Sequence, residues 1–284
     1  METIRITTLV DNSAGPGFLA EWGLSLLVEA KGLRVLLDCG AGLAAVYNAQ
    51  LLGLDLGSID YLVLSHGHYD HTGGLREVLR RVGREIAVVA HPEVWAPKYS
   101  RLGQQAVEAG EGVKYIGIPF ARAELESLGG GFMLRREPVH LGEGFLTSGE
   151  IPSVTSYERI DDYLLVREGG VFLPDPLADD LALILDTDFG LVVVLGCGHR
   201  GMINTLRHAR TLTGRERVYA VIGGTHLLHA SPERLDRTAA ELRQMGVQKL
   251  AVSHCTGFRS AAYLARVFGE GFTLNQTGAR LTFP

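Results

Sequence analysis

Apolar residues recur along the chain in two rhythms, and the change between them sets out the architecture. Short apolar or alternating runs predict strands over Ile4–Val10, Leu24–Glu29, Val35–Asp38, Tyr61–Leu64 and Ile86–Ala90. Helical spacing appears over Ala44–Leu52, behind the turn Cys39-Gly40-Ala41-Gly42, and again at Leu75, Val78, Leu79 and Val82. Strands return over Phe132–Arg135, Tyr163–Val166, Leu181–Leu185 and Leu191–Leu195, the last two joined hairpin-fashion through Asp186 to Gly190. Helices over Met202–Arg210, Leu235–Met245 and Ala261–Phe268 then alternate with strands over Val218–Ile222, Leu250–Val252 and Leu274–Phe283. A strand-rich front and a βαβα rear fit two packed sheets with helices outside. The 284 residues fit one such domain over 1–284. The stretch Trp95–Gly131 is poorly patterned, with Pro97, Pro119 and a weak helical signal over Ala121–Leu128. It reads as an insertion that walls or lids a pocket, with a plain surface excursion as the alternative. Trp95, Tyr99, Tyr115 and Phe120 either offer flat apolar area to a ring-shaped substrate or pin the segment to the body.

The Tyr61–Leu64 run leads into Ser65-His66-Gly67-His68-Tyr69-Asp70-His71, and Thr72-Gly73-Gly74 then opens a helix. Imidazoles and a carboxylate beside a core are expensive to desolvate. A divalent metal gives them a reason, because both are standard ligands of zinc and its neighbours. His66, His68 and Asp70 stand at alternating positions, with His71 turned the other way. Each later strand of the rear half also ends in a histidine: Gly196-Cys197-Gly198-His199, Gly223-Gly224-Thr225-His226 and Ser253-His254-Cys255-Thr256-Gly257. Strand carboxyl ends face the binding crevice in open α/β sheets, so these segments can converge on one place.

His-x-His-x-Asp-His with Thr-Gly-Gly-Leu behind it resembles the metal-binding signature of the metallo-β-lactamase superfamily. The resemblance implies a four-layer αββα sandwich with one or two ions, zinc or another divalent transition metal, at the edge of the two sheets. It implies His66, His68, Asp70, His71, His199 and His254 as ligands. His199 is expected where most members place an aspartate that bridges two metals, so a second ion should be weak or absent. The superfamily's middle histidine is matched by either His140 or Glu150. Asp38, ending the Val35-Leu36-Leu37 run, is expected to support the metal loop by hydrogen bonds, as metal-bound histidines require. His226 is a ligand or a donor beside the ligands. Cys197 is a candidate ligand, although Cys197 and Cys255 also read as small buried residues in tight glycine loops. Thr147-Ser148-Gly149-Glu150-Ile151-Pro152, Asp179-Asp180 and the three histidine loops together resemble one branch, named for a dihydropterin–aminobenzene ribose-phosphate synthase of methanopterin assembly. Gly198 and Thr225 depart from that branch's pattern, where Ser and Phe are usual.

The expected function is a metal-dependent hydrolase of an ester, amide or phosphoester that uses metal-bound hydroxide, with Asp70 and His226 in catalytic roles. A transferase joining a pterin diphosphate to an arylamine is the alternative, favoured if Arg135, Arg136, Arg159 and Arg200 form a basic pocket. A non-catalytic metal-binding protein is the third. A flavo-di-iron role needs glutamate where His68 stands. The expected partner is a small molecule, pterin-like or phosphorylated; oligomeric state stays open. A net charge of −5 gives no basic field for nucleic acid. No apolar run approaches the roughly 20 residues that span a bilayer. Three cysteines make no disulfide framework, and the first residues lack the pattern of a signal peptide, so a reducing cytoplasm is expected.

Overall fold

The computed structural model describes residues 3–103 and 112–284. Two seven-stranded sheets lie face to face. The first runs in the order Arg280–Phe283, Ile4–Val10, Ser25–Ala30, Leu33–Leu37, Tyr61–Val63, Ile86–Ala90, Gly130–Leu134. The second runs Phe272–Leu274, Lys249–Ser253, Val218–Gly224, Gly190–Leu195, Ala182–Thr187, Phe145–Thr147, His140–Gly142. Near-continuous apolar strands make sense here because both faces of each sheet are covered. Alternate residues part to opposite sides. Leu26, Val28, Val35 and Leu37 pack inward against Leu183, Leu185, Val192 and Val194 of the other sheet. Leu27, Leu36 and Leu62 face outward onto Ala45, Ala49, Leu75, Val78 and Leu79 of the helices Ala44–Leu51 and Leu75–Val82. On the far side, Val193, Val221 and Leu250 meet the helices Met202–Thr213, Pro232–Gln244 and Phe258–Phe268. The result is the αββα sandwich.

Two departures from the sequence expectation bear on the site. The predicted closing strand Leu274–Phe283 is two strands in different sheets: Phe272–Leu274 pairs parallel with Lys249–Ser253, and Arg280–Phe283 pairs antiparallel with Ile4–Val10. Between them Asn275 and Thr277 are buried and tie back to the first strand, Asn275 Oδ1 accepting from Thr8 Oγ1 at 2.7 Å and Thr277 Oγ1 from the Asp11 amide at 2.8 Å. Polar residues in the middle of the run mark this crossing.

The Trp95–Gly131 stretch also carries more order than its pattern predicts, and its residues 104–111 lie outside the described part. Lys98–Arg101 and Val113–Tyr115 join Leu164–Glu168 and Val171–Pro174 in a third, four-stranded sheet. Trp95 and Phe120 pack on the sandwich, Trp95 edge-on to Phe132 at 5.0 Å. Tyr99 stacks edgewise on Tyr115 and Phe172. Trp95 and Phe120 therefore pin the segment to the body instead of offering free faces to a ring.

Candidate metal centre

Parallel strands deliver the histidine loops to one rim. Gly190–Leu195, Val218–Gly224 and Lys249–Ser253 run parallel, and so do Leu33–Leu37, Tyr61–Val63 and Ile86–Ala90. His66 and His68 lie in the loop after Tyr61–Val63, and a single helical turn, Tyr69–Thr72, carries Asp70 and His71. The loops are packed too tightly for side chains at two glycines. A methyl group at Gly67 would collide with the Val94 carbonyl, and one at Gly196 with the Ser65 side chain.

The donor atoms fall into two groups. In the first, His66 Nε2 lies 3.0 Å from His68 Nδ1 and 3.2 Å from His199 Nε2. In the second, His254 Nε2 lies 3.3 Å from both His71 Nε2 and Asp70 Oδ2. Cys197 stands between them, its Sγ 3.2 Å from His71 Nε2 and grouped with His66 and His199 on the other side. All these residues are buried.

Outer hydrogen bonds fix which ring nitrogens face inward. Ser65 Oγ donates to Asp38 Oδ2 at 2.6 Å and therefore accepts from His66 Nδ1 at 2.9 Å. His71 Nδ1 donates to Asp38 Oδ2 at 2.7 Å, and His254 Nδ1 to Asn12 Oδ1 at 2.9 Å. Each proton on an outer nitrogen leaves Nε2 of a neutral ring as a bare lone pair. Lone pairs from several rings and a carboxylate then converge, an arrangement that suits a cation. Two nitrogens held tetrahedrally at about 2.0–2.1 Å from one ion stand roughly 3.3–3.4 Å apart. The observed spacings are close to that edge, so the donor set fits a transition metal.

Electrostatics agree. Burial, with the neighbouring imidazoles, holds His66 and His199 well below the ordinary histidine range and brings His68 down to about 3. Burial opposes charge on Asp70, but His71 and His254 outweigh it and keep the carboxyl ionised. Burial likewise opposes a proton on His71, yet Asp38 and Asp70 push its pKa up to about 9.

Asp38, His226 and His254 all take positive φ, of 60°, 47° and 54°. Non-glycine residues seldom do so, and such strain collects at functional sites. His226 Nδ1 pairs with Asp161 Oδ2 at 3.2 Å, and its ring lies 4.1 Å from that of His199. Trp22, half exposed, leans over the His254 ring at 5.4 Å.

Several expectations change. His199 stands with His66 and His68, not between the two groups; the intermediate position belongs to Cys197. His140 lies exposed on an edge strand, and Glu150 faces Arg136 and His91, so neither joins the cluster. Of the arginines weighed for a basic pocket, Arg200 is tied to the carbonyls of Ile151 and Pro176, Arg136 to Glu93, and Arg135 to the Leu134 carbonyl. Arg159 is exposed.

Sequence reasoning missed Asp11, Asn12, Ser65, Lys98 and Asp161, and gave no role to Asp179 and Asp180. The His254 amide donates to Asp11 Oδ1 at 2.8 Å. Asp179 Oδ2 accepts from the Gly67 amide, and Asp180 Oδ2 from the Arg200 amide, both at 2.8 Å. The usable signal was position: Asp11 and Asn12 follow directly on a strand end.

The αββα sandwich and its clustered histidine loops agree with a family match: the model of the metallo-beta-lactamase superfamily covers residues 23–206. The chain belongs to that superfamily. Among individual proteins, it is 33% identical to a 7,8-dihydropterin-6-methyl-4-(beta-D-ribofuranosyl)-aminobenzene-5'-phosphate synthase of Methanocaldococcus jannaschii, over 100% of this chain and 98% of the relative. The solved structure of Tm1679, a metal-dependent hydrolase of the beta-lactamase superfamily, superposes with a TM-score of 0.83 at 29% identity, covering 98% of both chains. Human tRNase Z, short form, shares the fold, with a TM-score of 0.55 and 12% identity over 99% of each chain.

Proposed function

We propose that the chain is a metal-dependent enzyme that hydrolyses an ester or phosphoester bond in a small molecule. The observation that carries this reading is the pair of facing donor groups, His66/His68/His199 and Asp70/His71/His254, with bare lone pairs turned toward one another. A divalent transition metal, zinc foremost, would be held by these residues and would supply Lewis-acid polarisation and activation of water.

The remaining work falls to side chains. Asp70 stays ionised and presents an acceptor that can orient a nucleophile's proton. His226 Nδ1 donates to Asp161 Oδ2, and that bond, working against burial, raises the His226 pKa, which suits it to give a proton to a departing oxygen. Trp22 supplies a flat apolar wall beside His254.

The second reading is a transferase joining a pterin diphosphate to an arylamine. The full-length likeness to the archaeal synthase favours it. The lack of an arginine-lined pocket among Arg135, Arg136 and Arg200 weighs against it. One experiment separates the two. Zinc-loaded protein is incubated with a panel of carboxylic esters and phosphoesters, and separately with a dihydropterin diphosphate with and without an arylamine. Hydrolysis in the absence of the amine supports the first reading. Diphosphate release that requires the amine supports the second. Full metal loading with turnover in neither assay leaves a metal-binding protein and overturns both.

A further inference from the structure

We infer that Cys197 is a shared thiolate ligand, its single sulfur completing both donor groups. The inference rests on the metal-centre reading above and adds to it the anion that the first group lacks. Cys197 Sγ lies within 4.8 Å of donor atoms of His66 and His199, and also within 4.8 Å of donor atoms of His71 and His254. Among the described residues it alone belongs to both sets. It is 2% exposed, at the end of the Gly190–Leu195 strand, where bare Gly196 lets that strand end close against Ser65 of the first loop.

Charge balance favours such a group. His66, His68 and His199 provide three donors, as do Asp70, His71 and His254, whereas a tetrahedral ion takes four. The second group has the Asp70 carboxylate. The first has imidazoles alone, which are neutral as ligands, so a dication held there would be buried with no countercharge from its own group. A thiolate placed between the groups supplies a negative charge to both. Its sulfur carries enough lone pairs for two bonds to metal, and the thiol proton leaves to solvent when metal enters. This replaces the expected imidazole bridge with an anionic one, so two ions can be held with comparable strength. Thiolate is a soft donor, so the centre should prefer zinc, cobalt or iron(II) over magnesium and calcium.

Cys255 is the internal control. It belongs to neither donor set, its sulfur donating to the Cys197 carbonyl at 3.4 Å and accepting from the His226 amide at 3.2 Å.

The test uses the full chain reconstituted with cobalt(II) or zinc. The cobalt form should show a near-ultraviolet sulfur-to-metal charge-transfer band. Cys197→Ser should lose the band and hold less metal, and Cys255→Ser should keep both. Zinc X-ray absorption on the unmodified protein needs no variant, so it remains decisive if Cys197→Ser does not fold. A shared sulfur gives an average of about one sulfur neighbour per zinc at about 2.3 Å. An average near half of that places the sulfur on one ion only and overturns the shared ligand. A band that survives in Cys197→Ser, or cobalt bound with no sulfur band, overturns the thiolate while leaving the histidine centre standing. Protein that takes up neither metal overturns the centre itself.

Discussion

Lys98 Nζ donates to Asp179 Oδ1 at 2.8 Å, and the other oxygen of Asp179 accepts the amide of Gly67, the residue between His66 and His68. A lysine from the poorly patterned segment thus reaches the histidine loop through one carboxylate. Asp175 completes the buried trio at 2.9 Å from the same ammonium.

Removing that ammonium should be costly. Lys98→Met leaves two buried carboxylates unpaired, and breaking a buried pair in this way costs about 3–5 kcal/mol. Burial, reinforced by the neighbouring charge of Asp175, already raises the Asp179 pKa against the pull of Lys98. A raised acid pKa means the folded state favours the neutral form. The loss in Lys98→Met should therefore be full above the raised folded value and shrink as pH falls through it. Chemical denaturation of both proteins at pH 8 and pH 5 checks this; an equal loss at both would refute it.

The segment's role is revised in the same way. The Ile116 carbonyl accepts the Tyr69 amide at 2.8 Å. Replacing Trp95–Gly131 by a Gly-Ser linker should therefore lower metal affinity and not substrate selectivity alone. Metal titration of the replaced protein decides; unchanged affinity would restore the separable-lid reading.

Outer partners should matter for metal uptake. Asp38→Ala removes the acceptor of His71 and of Ser65, and Asn12→Ala removes that of His254. Loss of such a partner typically costs 10–100-fold in metal affinity, so each variant should weaken binding by about that much. His68→Ala and Asp70→Ala, which delete donors, should lose most metal. Elemental analysis after dialysis against a chelator gives the ranking.

The His226–Asp161 pair predicts a pH signature. A histidine with raised pKa keeps its proton, and the stability that the pair contributes, below the unfolded value; both are lost as pH rises through the folded value. If His226 donates a proton in turnover, the rate should fall along that alkaline limb. Asp161→Asn should move the limb to lower pH, and His226→Ala should remove it, with a rate loss of about 10²–10⁴. An alkaline limb unmoved in Asp161→Asn counts against the role.

Much of this centre was legible in the residues themselves. The histidine loop follows a strand, and three rear strands each lead into a histidine, so convergence could be read from order alone. What could not be read was assignment within the cluster. Cys197 and His199 are two residues apart, and only the path of the Gly196–His199 loop decides which stands between the groups. His140 was a false candidate because an edge strand and an inward strand share one local pattern. The third sheet escaped notice because its short strands, such as Lys98–Arg101 and Val113–Tyr115, are largely polar. The closing crossover escaped because a run of sequence does not announce a change of sheet.

The Asp11–His254 contact has a consequence for how the molecule is made. The two residues are 243 positions apart, and the acceptor that fixes His254 comes from the early strand while the histidine comes from near the other end. During synthesis, His66, His68, Asp70 and His71 emerge long before His199 and His254. Until those later loops arrive, neither donor group is complete. Both donor groups can therefore be complete only after His199 and His254 have been made.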